Sequence, residues 1–236
     1  MISVRPAASR GKTLLPWLDS AHTFSFGEYH DPAHMGFRSL RVINDDLIGP
    51  SGGFGMHPHR DMEIISWVLD GALQHRDSLG NGSVIKPGDI QVMSAGSGIR
   101  HSEFNPSASD SCRLLQIWIL PDARGHEPRY DQRTLDPASC RNRLALAAGP
   151  FDSDAVVKIH QDARMYVARL ADGARVSHDI AQGRSAYLQV ARGAVLLSDG
   201  STLSDGDAAE IQAENSLTIT GASSARDSEV ILFDLG

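Results

Sequence analysis

Two short segments of the chain carry histidine and glutamate at a spacing that suits metal binding. The first, GFGMHPHRDMEII, places His57 and His59 two residues apart, and the second, GSGIRHSEFN, places His101 and Glu103 at the same separation. Side chains of a β-strand alternate between its two faces, so the members of each pair point to the same side. If the two segments are neighbouring strands in a barrel, three neutral imidazoles and one carboxylate converge on one point.

This donor set suits a divalent first-row transition metal ion. Imidazole nitrogen and carboxylate oxygen bind Fe, Mn, Co, Ni, Cu or Zn and leave positions for water, dioxygen or substrate. Glu63 is a competing ligand, because it lies four residues after His59 and so shares its strand face. Spacing alone does not choose between Glu63 and Glu103. The other role for Glu63 is to accept a hydrogen bond from a ligand imidazole and so fix its tautomer.

The elements that must position these pairs are short β-strands. Apolar runs alternate with clusters of Gly, Pro, Asn and Asp, as in SLRVIND, MEIISWVLDG, RLLQIWILP, AYLQVARGAVLLSDG and EVILFDL. Together with the absence of long helical periodicity, this pattern is typical of an all-β sandwich or barrel. A stretch rich in Pro, Arg and Asp separates two β-rich regions, and we interpret 131–154 as a connector that contains one short helical turn.

The two halves of the chain resemble each other. VLDGA at 68–72 corresponds to VARGA at 190–194, and in each half a hairpin and an x-Gly-Asp turn follow. The same β-module is therefore predicted to occur twice. The positions that correspond to the four candidate ligands are Asp179, Ala181, Ile219 and Gly221. Because this set lacks ligand side chains in the required number, the second module is predicted to hold no metal.

Composition limits the class of protein. The chain has 236 residues, is 41% hydrophobic and carries a formal net charge of -7. This length allows one large or two small globular domains, and the acidic balance argues against direct binding of nucleic acid. No apolar run has signal-peptide or membrane-span length, which predicts a cytoplasmic protein without membrane contact. Cys112 and Cys140 are predicted to be free thiols in a reducing compartment.

Three segments of the first half carry a resemblance to a known family. They are WLDSAHTFSFGEYHDPAHMGFRSLRVINDD, the block HPHRDMEIISWVLDGALQHRDSLGNGSVIKPGDIQVMSAGSGIRHSEFN, and LLQIWILP. Together they resemble the pirin family of bicupins, nearest to its bacterial quercetin 2,3-dioxygenase branch. The resemblance implies an all-β fold of two cupin barrels, each a double-stranded β-helix or jelly roll, packed face to face. The expected domains are a metal-binding barrel over 1–130, the connector over 131–154 and a barrel without metal ligands over 155–236.

The resemblance also implies the ligand set and the activity. The ligand pattern of the family matches His57, His59, His101 and Glu103, and places Glu63 outside the ligand set. One divalent transition metal ion is expected, with iron favoured and Mn, Co, Ni, Cu or Zn as alternatives. The implied enzyme is a quercetin 2,3-dioxygenase-like oxidoreductase, which cleaves the central ring of a flavonol with dioxygen and releases carbon monoxide. Glu103 is assigned as the catalytic base, with Glu63 as the alternative.

A second function from another class stays open at this point. Some pirins are described as partners of transcription regulators, so the alternative is a metal-bearing, redox-responsive binding or regulatory protein. A different metal-dependent reaction is also compatible with the fold, because a cupin barrel supports many chemistries. Two internal barrels that cover each other favour a monomer.

Overall fold

The short apolar runs of the sequence form strands throughout residues 1–236, all of which the computed structural model describes. The strands of the first half are β1 (Ile2–Arg5), β2 (Gly11–Leu15), β3 (Leu18–His22), β4 (Leu40–Ile48), β5 (Gly53–His59), β6 (Glu63–Asp70), β7 (Leu73–Asp77), β8 (Gly82–Ile85), β9 (Asp89–Ser94), β10 (Ile99–Phe104), β11 (Cys112–Ile119) and β12 (Arg129–Thr134). A 3-10 turn at Ala7–Ser9 follows β1.

The strands of the second half are β13 (Ala145–Gly149), β14 (Val157–Lys158), β15 (Ala163–Leu170), β16 (Arg175–Asp179), β17 (Ser185–Arg192), β18 (Ala194–Leu197), β19 (Thr202–Ser204), β20 (Ala208–Ile211), β21 (Ser216–Gly221) and β22 (Ser228–Leu235). One short α-helix, α1 (Pro137–Cys140), lies where the sequence predicts a helical turn. Asp136 caps it by accepting a hydrogen bond of 2.9 Å from the backbone N–H of Ala138. No helix of the chain has the length and apolar character needed to cross a membrane.

Arg10–Leu135 and Val157–Gln161 form one compact unit, here called the N-terminal barrel. One of its sheets has the strand order β12-β9-β6-β11-β4-β3-β2, and the other has the order β5-β10-β7-β8. Because side chains alternate along each strand, every second residue points into the barrel. The N-terminal barrel is therefore a cupin-type double sheet whose interior is built from both sheets.

A polar layer lies between two apolar clusters inside the N-terminal barrel. On β6, Ile64, Ser66 and Val68 share one face. Val68 packs in a buried cluster with Leu18, Ile48, Leu73, Ile85, Cys112 and Leu114. Ile64 packs in a separate cluster with Met93, Ala95 and Ile99. Each fully buried large apolar side chain contributes about 1.5–3 kcal/mol, so these clusters offset the cost of burying Ser66 and the polar groups around it.

Met1–Ser9, Asp136–Val156 and Asp162–Gly236 form a second compact unit, the C-terminal barrel. Its strands have the orders β1-β20-β17-β22-β15-β13 and β16-β21-β18-β19. Apart from β2, which has no counterpart within this unit, these orders repeat those of the N-terminal barrel, as the sequence repeat predicts. The interior is a continuous apolar cluster that includes Val190, Leu217, Ile219 and Leu232. Ile219, which corresponds to His101, is thus part of a hydrophobic core.

The two units divide the chain differently from the predicted 1–130, 131–154 and 155–236. β1 pairs with β20 through the register Ile2↔Ile211 to Arg5↔Ala208, so the N-terminus belongs to the C-terminal barrel. The predicted connector also contains strand residues, because β12 ends at Thr134 and β13 covers Ala145–Gly149. β1 and β12 are edge strands whose partners, β20 and β9, are distant in sequence.

The glycine turns of the repeat have the same backbone conformation in both barrels. Gly71 has φ 73° and Gly193 has φ 74°, in the left-handed region that L side chains disfavour. A Cβ on Gly71 would also lie 2.6 Å from the carbonyl oxygen of Ser111. The Gly turn that marks the repeat in the sequence is therefore required by both dihedral angle and space.

Gly71→Ala is expected to lower the free energy of unfolding by about 2–4 kcal/mol, because left-handed strain of about 1–2 kcal/mol adds to a steric clash. Gly80→Ala is the matched control, since Gly80 has φ +92° but open space where its Cβ would be. This control should lose about 1–2 kcal/mol from strain alone. Urea denaturation measures both, and equal losses would contradict the steric argument.

Candidate metal centre

The two predicted ligand segments are neighbouring antiparallel strands. β5 pairs with β10, and His57 lies directly opposite His101. Pro58 is tolerated between the two histidines because β5 is the edge strand of its sheet, where a missing N–H breaks no ladder. The register shifts between His101 and Glu103, so that Glu103 pairs with Phe54. A bulge of this kind redirects side chains at the mouth of a barrel.

The structure brings the three predicted histidines together. The ring centroids of His57 and His101 are 4.5 Å apart, those of His57 and His59 4.8 Å, and those of His59 and His101 4.9 Å. One nitrogen of each ring lies within 4.8 Å of the corresponding nitrogens of the other two. This arrangement matches the prediction that both strands direct their histidines to one point.

Hydrogen bonding leaves ring nitrogens available for a cation. His57 Nδ1 lies 2.7 Å from the carbonyl oxygen of Gly55, so it carries the proton and leaves a lone pair on Nε2. His101 is 1% exposed, and its Nε2 is buried without a hydrogen-bond partner. A buried polar atom without a partner costs free energy, which a metal ion coordinated there would recover. The residues therefore fit a divalent transition metal ion.

Burial keeps two of the imidazoles neutral. Burial, together with charge repulsion from His101 and His57, lowers the pKa of His59 to about 4. Burial likewise lowers the pKa of His101 to about 3, with repulsion from His57 and His75 acting in the same direction. Because neutral imidazole is the form that binds metal, both rings are ready to act as ligands at neutral pH.

Glu103 reaches from β10 across the barrel to the facing sheet. Gln116 Nε2 donates hydrogen bonds of 3.1 Å to Oε1 and 2.9 Å to Oε2, and Ser66 Oγ donates one of 3.3 Å to Oε1. The Glu103 carboxylate, His101 and His75 form a second cluster of candidate ligand atoms, which lie within 4.8 Å of one another. Glu103 thus lies beside His101, and Gln116 and Ser66 of the polar layer hold its carboxylate in place.

The candidate centre opens into a cavity of about 370 Å³. Alternate residues of the larger sheet form one wall and the histidine strands form the other. The lining residues are Thr13, Leu15, Leu18, Ser20, His22, Phe26, Gly27, Glu28, Asn44, Asp46, Phe54, His57, His59, Ile64, His101, Glu103, Gln116 and Trp118. A largely apolar cavity with a few convergent polar groups is the usual form of a small-molecule site.

One cavity wall contains a buried acid that the sequence analysis did not identify. Asp46 is 3% exposed and accepts a short hydrogen bond from Ser20 Oγ. Burial raises the pKa of Asp46 to about 7, and the negative charges of Asp45 and Glu103 act in the same direction. In the folded protein the neutral acid therefore predominates below about pH 7.

The raised pKa predicts a pH-dependent stability. Between about pH 4 and pH 7 the folded state keeps a proton on Asp46 that the unfolded state releases, so stability falls as pH rises through this window. Asp46→Asn is neutral at every pH. In the metal-free variant we expect a smaller decrease in Tm across the window and a higher Tm than the parent protein at pH 8. Thermal melts from pH 4 to pH 8 measure this, and parallel Tm curves would contradict it.

Glu63 lies outside the cavity and does not contact a candidate ligand imidazole. It is 1% exposed, accepts a hydrogen bond of 2.7 Å from Ser94 Oγ, and lies 3.2 Å from His160 Nδ1. Of the two roles considered for Glu63, the structure shows neither a place in the clusters of candidate ligand atoms nor a hydrogen bond to a candidate ligand imidazole. The alternation does not continue from His59 to Glu63, because the chain turns at Asp61, with φ 50°, and passes from one sheet to the other.

Glu63→Ala is expected to leave metal binding unchanged and to destabilise the protein by about 1–3 kcal/mol, because Ser94 and His160 lose a buried partner. The measurements are metal content per chain and urea denaturation. His160→Ala is the matched variant, and the two substitutions should be less than additive in the double mutant. Loss of the metal from Glu63→Ala would reinstate Glu63 as a ligand.

Two further histidines, which the sequence analysis did not single out, are buried inside the N-terminal barrel. His22 is 2% exposed and bonds Thr13 and Asn44 at 2.8 Å each. His75 is 0% exposed and lies beside His101. The signal for His75 was present in the sequence, because His75 and Asp77 have the same two-residue spacing as the ligand pairs.

Two family models match this chain. The model described as Pirin matches residues 3–119, and the model described as Quercetinase C-terminal cupin domain matches residues 146–235. A protein named quercetin 2,3-dioxygenase from Escherichia coli strain K12 is 46% identical over 235 residues, covering 100% of this chain and 99% of the relative. The chain belongs to the pirin family.

Other pirin relatives match over the same length. A putative quercetin 2,3-dioxygenase from Zymomonas mobilis is 40% identical over 237 residues, covering 100% of this chain and 99% of the relative. The crystal structure of the bacterial pirin YhhW from Escherichia coli in complex with nickel(II) superimposes with a TM-score of 0.93 at 45% identity, covering 100% of this chain and 99% of that one. The two-cupin fold predicted from the pirin resemblance is thereby confirmed.

Proposed function

We propose that this pirin is a metal-dependent quercetin 2,3-dioxygenase, which uses dioxygen to cleave the central ring of a flavonol and releases carbon monoxide. The observation that carries the proposal is a buried imidazole nitrogen without a partner, on His101, at the wall of an apolar cavity. Relatives that match over the whole chain are named for this activity, which favours the enzyme over a regulatory binding protein.

The proposed ligands are His57, His59, His101 and Glu103. The three imidazoles converge, and Glu103 lies next to His101 on the same strand. Iron is the ion we propose, with Mn, Co, Ni, Cu or Zn as competitors, because such a set accepts most first-row ions. The nickel complex of YhhW supports a divalent transition metal as the resident group.

The chain's own residues supply substrate binding and proton transfer. A divalent metal ion, when bound, supplies the Lewis acidity that favours the deprotonated 3-oxygen of a flavonol. Apolar walls that include Phe54, Phe26 and Trp118 exclude water and pack on flat aromatic rings. We assign Glu103 as the general base that takes the proton of the 3-hydroxyl group on a carboxylate oxygen. Gln116 holds that carboxylate in place through two hydrogen bonds.

We further propose a cytoplasmic, monomeric protein that does not bind nucleic acid. Both cysteines, Cys112 and Cys140, are buried free thiols, which suits a reducing compartment. A formal net charge of -7 opposes binding to a phosphate backbone.

The test is anaerobic reconstitution with Fe, Mn, Co, Ni or Cu, followed by exposure to quercetin and air. Loss of the visible absorbance of quercetin together with release of carbon monoxide is the expected result for at least one metal. A protein that binds each metal at one ion per chain but leaves quercetin unchanged would contradict the proposal.

A further inference from the structure

A third strand beside the proposed centre carries two buried side chains that the proposed reaction does not use. His75 and Asp77 lie on β7 and pair across to Glu103 and His101 of β10. The side chains of both are 0% exposed. His75 Nδ1 lies 3.5 Å from His101 Nδ1, and His75 Nε2 lies 3.2 Å from Asp77 Oδ2. Asp77, His75 and His101 thus form a chain that ends at the unpartnered Nε2.

The loop after β7 fixes Asp77 as the acceptor at the start of this chain. Its Oδ1 accepts hydrogen bonds from the backbone N–H groups of Leu79 at 2.9 Å and Asn81 at 3.0 Å. Its Oδ2 accepts one of 2.9 Å from Asn81 Nδ2. A carboxylate surrounded by donors only accepts, so the proton of the His75–Asp77 hydrogen bond belongs to His75 Nε2.

The proton on His75 Nε2 determines the tautomers of both His75 and His101. A neutral imidazole has one N–H and one lone pair, so His75 with a proton on Nε2 has an acceptor at Nδ1. The facing Nδ1 of His101 must then donate, which leaves the lone pair of His101 on Nε2. The Tyr130 ring stacks on the His75 ring with a centroid distance of 4.7 Å and an interplanar angle of 27°. The Tyr130 hydroxyl donates a hydrogen bond of 2.9 Å to Gln132 Oε1, and the stacking with this fixed ring holds the plane of the His75 ring.

We propose that His75 and Asp77 are positioning residues that hold His101 in the tautomer able to bind metal through Nε2. The inference rests on the proposed ligand set, and it adds residues that touch neither substrate nor metal. Outer hydrogen-bond partners of a ligand imidazole are typically worth about 10–100-fold in metal affinity.

Asp77→Asn gives the sharpest test. The two backbone N–H groups hold the side-chain oxygen in place, so the amide N–H₂ faces His75 Nε2 and turns it into an acceptor. His75 then donates from Nδ1, and His101 is driven to carry its proton on Nε2. We expect Zn(II) or Co(II) affinity, measured by chelator competition, to fall about 10–100-fold. Imidazole ¹⁵N NMR of the metal-free protein should show His101 change from the Nδ1–H to the Nε2–H tautomer.

Two substitutions of His75 separate positioning from packing. His75→Asn keeps an acceptor near the position of Nδ1 and should retain affinity close to that of the parent protein. His75→Leu removes the acceptor and should weaken binding to the same extent as Asp77→Asn. The matched control is His178→Leu, which breaks a histidine–aspartate pair of 2.8 Å with Asp234 in the C-terminal barrel. Its metal affinity should equal that of the parent protein.

Three results would overturn the inference. The first is parent-level affinity in both Asp77→Asn and His75→Leu with the fold intact by thermal melting. The second is an Nε2–H tautomer for His101 in the unmodified metal-free protein. The third is complete loss of metal from His75→Asn together with normal binding by Asp77→Asn, which would make His75 itself a ligand. None of these measurements uses quercetin, so they stand or fall separately from the proposed activity.

Discussion

Replacement of His57 by alanine is expected to remove the metal ion and to reduce quercetin turnover to background. The substitution deletes one of three converging nitrogen donors, so metal affinity should fall by more than the ~100-fold typical of losing an outer partner. His57 is only half-buried and lies on an edge strand, so the stability of the metal-free protein should change by less than about 0.5 kcal/mol. Metal content after dialysis and the visible absorbance of quercetin measure the two effects.

His30→Ala is the control for this substitution. His30 is an exposed histidine of the same barrel that does not line the cavity. Its removal should leave metal content and turnover unchanged. A His57→Ala protein that keeps a full equivalent of metal would show that the edge strand is not part of the ligand set.

Glu103→Gln is expected to lower kcat by about 10²–10⁴-fold, the usual range for loss of a general base. The glutamine amide cannot take the substrate proton, yet its oxygen can still accept from Gln116 and Ser66. The fold should therefore persist, and the three histidines should keep part of the metal affinity. Steady-state kinetics with quercetin at a metal concentration that saturates the variant isolates the loss of the base from the loss of a ligand.

Glu28→Gln serves as the matched control. Glu28 also lines the cavity, but it forms no hydrogen bond with Gln116 or Ser66, the two residues that hold Glu103. Its kcat should stay close to that of the unmodified protein. Equal kcat values for Glu103→Gln and Glu28→Gln, at full metal occupancy, would remove Glu103 from the proton transfer.

Much of the centre was predictable from local rules. The two-residue spacing of His57 and His59, and of His101 and Glu103, fixes which face each pair occupies, and the glycine turns indicate strands short enough to pair. The repeated turn at Gly71 and Gly193 predicted two equivalent modules, and the structure gives them the same φ. These features depend on residues close in sequence, where strand geometry leaves few alternatives.

The features that sequence reasoning missed depend on contacts between distant segments. Glu63 appeared to share the face of His59, but the left-handed residue Asp61 and the change of sheet reset the alternation. The place of Asp46 in the cavity wall could be predicted only with the knowledge that β4 lines the cavity. The pairing of β1 with β20 joins the N-terminal segment to a strand far along the chain, and nothing in the composition of an edge strand identifies its partner.

A crystal structure of the metal-loaded protein, measured at the absorption edge of the ion, tests the proposed ligand set most directly. One anomalous peak per chain is expected, about 2.0–2.2 Å from nitrogen atoms of His57, His59 and His101 and from an oxygen of Glu103. A single peak between His75, His101 and Glu103, or a peak in the C-terminal barrel, would contradict it.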